Sequence, residues 1–230
     1  MKYTFLYILT VFIFFSNQAH GQYAVNDTWY NNPLGFEPVK LHTSMGFIIP
    51  AVAVGACLML TKKNPSIANR LSVYNETGLS WGYKYPYTFM PQNNTGINFF
   101  LRRFMSVGTE VDLYFPQDHF NSTTGLAVRP FARFYPVNNN NWRLYFESGG
   151  GLIYLFDEFP KPTDRDGRLG THWNGTTKYG IGTEINLTKT FDLMAGIRHI
   201  HISNGNTSGE ERNPSHDSNG FFIGLSYKPY

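Results

Sequence analysis

The stretch from Phe191 to Asn204, FDLMAGIRHIHISN, alternates with a period of two. Its odd positions Phe191, Leu193, Ala195 and Ile197 are apolar, while its even positions include Asp192, Gly196 and Arg198. Successive side chains of a strand point to opposite faces, so this is a strand with one apolar and one polar side. The odd face continues through His199, His201 and Ser203, placing three polar groups in line with the aliphatic ones.

The same parity recurs on either side. In GLSWGYKYPYTF, residues 78–89, the odd face is Leu79, Trp81, Tyr83, Tyr85, Tyr87 and Phe89, against Gly78, Ser80, Gly82, Lys84 and Thr88. Residues 107–115 set Val107, Val111, Leu113 and Phe115 against Glu110 and Asp112, and 126–134 set Leu126, Val128, Ala132 and Phe134 against Arg129, Phe131 and Arg133. Residues 142–156 oppose Trp142, Leu144, Phe146 and Leu152 to Arg143 and Glu147, and 177–187 oppose Tyr179, Ile181, Ile185 and Leu187 to Lys178, Glu184 and Asn186. The last strand opposes Phe221, Ile223, Leu225 and Tyr227 to Gly224, Ser226 and Lys228. With the less regular 95–104 and with 191–203, the expectation is eight strands, each near the roughly 9 to 11 residues that cross a bilayer.

A soluble sandwich also alternates, with its charged face outward. Two features favour a membrane barrel. The connections alternate short (105–106, 137–141, 188–190) and long (116–123, 157–176, 204–218), as outer-membrane barrels do. The presumed interior carries Lys84, Arg129, Arg133, Arg143, Lys178 and Arg198 with Glu110, Asp112, Glu147 and Glu184, which can pair inside a barrel narrow enough for side chains to fill. The predicted fold is an all-β, eight-stranded antiparallel transmembrane β-barrel over residues 78–230 with an N-terminal extension, 22–77. In the extension, Gly46 to Leu60 is open between a packed helix, an extra strand and an interfacial piece, and NPSIANRL is able to start a helix at Ser66.

Residues 1–21 read as a secretory signal peptide, with Lys2, an apolar run from Phe5 to Phe15 and the exit Ala19-His20-Gly21. Without them, 18 Lys and Arg face 16 Asp and Glu, a net of +2, with no basic patch for nucleic acid. Cys57 is the only cysteine, so no internal disulfide forms, and it reads as a small buried apolar residue. Aromatic content is 17% and charged content 15%. Yet no run after Gln22 reaches the roughly 18 apolar residues of a spanning helix, so any membrane crossing is made by strands.

Residues two apart on a strand lie about 6.6 Å apart on one face, within reach of an imidazole turning toward a hydroxyl. His201 can therefore act as base for Ser203. A carboxylate is needed to fix the imidazole tautomer, and Asp217, at the far end of the 204–218 loop, is placed to supply it. Asn204 and Asn213 flank the pair as oxyanion or positioning groups, and Gly205 allows a close backbone approach. Both ends of an even-stranded exported barrel lie in the periplasm, which puts Ser203 toward the outer leaflet. Other readings stay open: an interfacial girdle of histidines, a metal site of His199, His201, His216 and Asp217, or a noncatalytic barrel of structural or adhesive role.

The stretch HISNGNT, followed by NPSHD and a terminal GLSYKPY, resembles the outer-membrane lipid A 3-O-deacylase family called PagL and its acyloxyacyl hydrolase-like relatives. The resemblance implies an eight-stranded barrel with a serine-hydrolase triad on its lipid-facing exterior. His201 is then the base, Ser203 the nucleophile and Asp217 the acid, with Asn204 and Asn213 at the motif asparagines. It also implies a lipid A or lipopolysaccharide substrate in the Gram-negative outer membrane and no cofactor or metal, with a homodimer left open. Two departures stand out. The family often has Glu where Asp217 stands, and Ser215 occupies a position where Gly is usual after Asn-Pro, so Glu210, Glu211 and His216 remain alternatives for the third role.

Overall fold

The alternation closes on itself. The computed structural model describes residues 43–62, 71–82 and 87–229. Eight strands follow in order: β1 (Leu71–Gly82), β2 (Phe89–Arg102), β3 (Met105–Tyr114), β4 (Gly125–Asn138), β5 (Trp142–Leu155), β6 (Trp173–Asn186), β7 (Phe191–Ser203) and β8 (His216–Tyr227). Each pairs antiparallel with the next, and β1 pairs with β8 from Val73↔Tyr227 to Gly82↔Ser218, closing the barrel. The start of β1 and the end of β8 lie beside the short turns 103–104, 139–141 and 187–190. The longer connections 115–124, 156–172 and 204–215 gather at the opposite end.

Parity sorts the wall as expected. Leu126, Val128, Phe146, Leu152, Ile181, Ile197, Phe221 and Ile223 are exposed on the outer face. Such a continuous apolar surface is unfavourable in water and matched by lipid. Among the described residues no helix is long and apolar enough to cross a membrane.

The interior is filled rather than hollow. Toward the long-loop end, Met90, Tyr114, Ala127, Ile153, Leu155, Ile200 and Ile202 pack with Phe159 of the 156–172 connection. Toward the short-turn end lie Tyr74, Phe100, Phe131, Tyr135, Tyr145, Met194 and Phe222. Paired charges occupy the space between and below. Arg129 meets Asp112 at 3.1 Å and also pairs with Glu110, Lys178 meets Glu110 at 2.7 Å, and Arg198 meets Glu76 at 2.6 Å. Arg133 bonds Glu147 at 2.7 Å with its guanidinium 4.6 Å from the ring centres of both Tyr74 and Tyr145. A buried charge is tolerable only when paired in this way.

Several boundaries differ from the sequence reading. The barrel begins at Leu71, not 78, and the stretch 78–89 is not one strand: Gly82 ends β1 and Phe89 starts β2. The alternation misled because the aromatic parity runs on through the connection between them. The N-terminal half of β1 escaped notice because the apolar row of its outer face, Leu71 and Val73, is interrupted by Asn75 and Thr77. Asn75 donates to Asn93 Oδ1 at 2.9 Å and to Thr95 Oγ1 at 2.8 Å, and Asn93 donates to Thr77 Oγ1 at 3.1 Å, so this patch satisfies itself across β1 and β2. Strands β2, β6 and β8 likewise begin earlier than expected. The signal peptide, Lys84 and the helix start at Ser66 lie outside the described residues.

Of the three readings for Gly46 to Leu60, the structure shows a helix, α1 (Thr43–Leu60). It is apolar on every side, the pattern of a helix surrounded by apolar material. Gly46 and Pro50 are buried on one side, while Phe47, Ile48, Val52 and Met59 are exposed on others. The helix lies against the outer wall across β4 to β7. A Cβ at Gly46 would come within 2.3 Å of Thr177 Cγ2, so the α1 backbone itself touches β6. At its other end Arg102 donates to the Thr61 carbonyl and hydroxyl, each at 3.0 Å.

Candidate active site

The polar row ending β7 meets a second polar row opening β8. In register, His201 faces Asp217 and His199 faces Asn219. Directly opposed residues share a face, so all four stand on the outer side of the wall with Ser203, which is opposed by Gly175 of β6. Gly175 has no side chain, so none from β6 stands directly opposite the serine.

His201 Nδ1 lies 2.7 Å from Asp217 Oδ1, and both residues are buried, Asp217 to 1% exposure. An Nδ1–H donated to the carboxylate leaves Nε2 unprotonated, the tautomer a general base requires. Asp217 lies within β8 rather than on a loop, so backbone pairing fixes its position. Glu210 and Glu211 lie instead on a short 3-10 turn, Glu210–Arg212, whose residues are not buried. Among the described residues no His, Cys, Asp and Glu group is arranged to hold a metal ion.

The Ser203 hydroxyl donates to Asn213 Oδ1 at 3.0 Å and accepts from the Gly205 N–H at 3.0 Å. Asn213 Oδ1 also accepts from the Asn204 N–H at 3.3 Å. The Asn204 amide donates to Thr171 Oγ1 at 3.1 Å and to the Arg212 carbonyl at 2.7 Å, so that side chain ties the loops together. The turn is sharp because Gly205 and Asn206 both take positive φ, 64° and 62°. Ser215 sits at φ 49°, the left-handed region that a glycine enters freely.

Two long connections are laced above the site by contacts that periodicity could not reveal. Arg168 donates to the Asn213 carbonyl at 3.2 Å, Arg212 donates to the Gly170 carbonyl at 3.1 Å, and Arg212 also pairs with Glu158. The Arg168 guanidinium, 2.7 Å from Asp166, holds that carboxyl below its ordinary value. Lys161, Asp166, Arg168 and His216 line a cleft that descends between these connections to Asp217. Asn219, in contrast, was within reach of sequence reasoning, since it shares odd parity with Asp217.

A closed barrel of eight antiparallel strands, apolar outside and plugged inside, with short turns at one end, defines an outer-membrane β-barrel. The family model described as lipid A 3-O-deacylase (PagL) matches residues 75–226, and the chain belongs to that family. Its place is the Gram-negative outer membrane. No curated protein matches the sequence. Among solved structures, the chain is similar to the outer membrane enzyme PagL, with 13% identity and a TM-score of 0.49 over 69% of this chain and 99% of that one. It is also similar to Neisserial surface protein A, with 12% identity and a TM-score of 0.48 over 69% and 97%. A third similar structure is Ail, the attachment invasion locus protein of Yersinia pestis, with 12% identity and a TM-score of 0.42 over 70% and 100%. Helix α1 precedes the matched region.

Proposed function

We propose that the chain is a serine esterase that removes an ester-linked acyl chain from lipid A, with Ser203 as nucleophile, His201 as base and Asp217 as acid. The observation that carries this reading is the 2.7 Å bond between His201 and Asp217, opposed on β7 and β8, with Ser203 two residues along the same outer face. Polar groups on a lipid-facing wall are costly, and a paired imidazole and carboxylate there call for a chemical role.

Substrate binding turns the Ser203 hydroxyl from Asn213 toward His201 Nε2. The serine oxygen attacks the ester carbonyl while His201 accepts its proton, and Asp217 stabilises the imidazolium that forms. The proton then passes to the departing sugar hydroxyl, leaving an acyl-enzyme that water hydrolyses by the same route. Asn213 holds the serine in place before attack. The N–H groups of Asn204 and Gly205 are the donors at hand for the developing oxyanion. The long-loop end faces outward, which brings the site level with the outer leaflet and its glycolipid. Ser203→Ala should leave a folded barrel that no longer releases fatty acid from lipid A, followed by mass spectrometry; undiminished release would overturn the assignment.

A further inference from the structure

His199 is the one polar group of the β7 row without a part in the proposed reaction. Its surroundings are built with care. His199 faces Tyr179 on β6 and Asn219 on β8, forming a row adjacent to Thr177, His201 and Asp217. Its ring lies 4.9 Å from the ring of Tyr179, and its Nδ1 is 2.9 Å from Asn219 Oδ1. A neutral imidazole carries one N–H; with the Asn219 amide turned so that its NH2 meets Nδ1, that N–H sits on Nε2, which faces Asp217 Oδ1 at 3.5 Å, the same oxygen that His201 meets at 2.7 Å.

We propose that His199 is a positioning residue of the site, a second nitrogen donor that keeps the Asp217 carboxylate turned toward His201. The inference rests on the serine-esterase reading. A buried carboxylate on the lipid side of the wall has little water to solvate it, and left to one partner it turns away. That change would release the His201 tautomer. A nitrogen donor aimed at the same oxygen opposes it, and Asn219 keeps that donor aimed.

Two substitutions separate this role from simple packing. His199→Phe keeps a ring against Tyr179 but removes the N–H, whereas His199→Gln removes the ring but keeps an amide N–H at the reach of Nε2. The purified protein in detergent is treated with a fluorophosphonate, which labels activated serines, and kcat and KM are measured on lipid A micelles. Loss of a donor to a buried charge should slow labelling of Ser203 and lower kcat about 10- to 100-fold in His199→Phe. KM should stay within about twofold, and His199→Gln should recover most of the rate. Asn219→Leu, which frees His199 to turn, should show the same loss and covers the case of a poorly folding His199 variant. Full labelling in folded His199→Phe or Asn219→Leu, or a loss in His199→Gln alone, would overturn the inference. Wild-type protein left unlabelled at Ser203 would instead overturn the esterase reading on which it rests.

Discussion

Replacing Asp217 by Asn changes one atom of the site and tests the pair at its centre. The His201–Asp217 bond is 2.7 Å long and both partners are buried, so it belongs to the charge-assisted class. Such bonds contribute about 1.5–3 kcal/mol, or roughly 10- to 150-fold in rate at about 1.4 kcal/mol per decade. An amide adds a second penalty. If its NH2 turns to Nδ1, the imidazole proton is forced onto Nε2, where it blocks the base, and the loss approaches about 10^4. The expected fall in kcat for Asp217→Asn therefore lies between about 10^2 and about 10^4, with KM little changed. Fatty acid release from lipid A, quantified by mass spectrometry, reads the rate, and heat-modifiable gel mobility confirms the barrel. Glu210→Gln and Glu211→Gln serve as controls, because both side chains stand on the 3-10 turn away from this bond. Near-normal turnover by folded Asp217→Asn, or a comparable loss in either control, would refute the reasoning.

Two further outcomes follow from the scaffold. Arg133→Met should destabilise the barrel by about 3 kcal/mol, the lower end for a broken buried pair, because Lys178 still meets Glu147 and Arg143 still meets Glu184. Guanidinium unfolding in lipid vesicles measures it, and an unchanged midpoint would count against the charged interior as a support. Ser215→Gly should raise stability by up to about 1 kcal/mol by relieving a left-handed serine, with activity retained; a lowered midpoint would show that the serine side chain matters more than its φ.

The parts legible in the sequence were those where lipid and interior differ sharply. Strand β7 was read to its residue limits because Phe191, Leu193 and Ile197 face lipid while Asp192 and Arg198 face charge. The strand ends at the long-loop side were harder. The opening of β8, His-Asp-Ser-Asn-Gly, is polar on both faces because its outer face belongs to the site. Parity alone therefore assigned Asp217 to a loop, whereas the strand sets it directly opposite His201. Glu76 was missed for a related reason, since the polar patch of Asn75 and Thr77 hid the strand that carries it. The lacing of Arg168 and Arg212 over the site depends on where two distant loops fold, which no periodicity records.

The helix on the outer wall makes the two flanks of the site unequal. Gly46 rests on Thr177, the residue opposite His201, and α1 runs from there across the strands on the β6 side. A lipid diffusing in the plane of the leaflet meets a raised ridge when it approaches from that side. On the other flank, among the described residues, β8 and β1 present the bare wall, with Phe221 and Ile223 exposed. On the proposed reading of Ser203, the described residues leave its β8 side less obstructed than the side that carries α1.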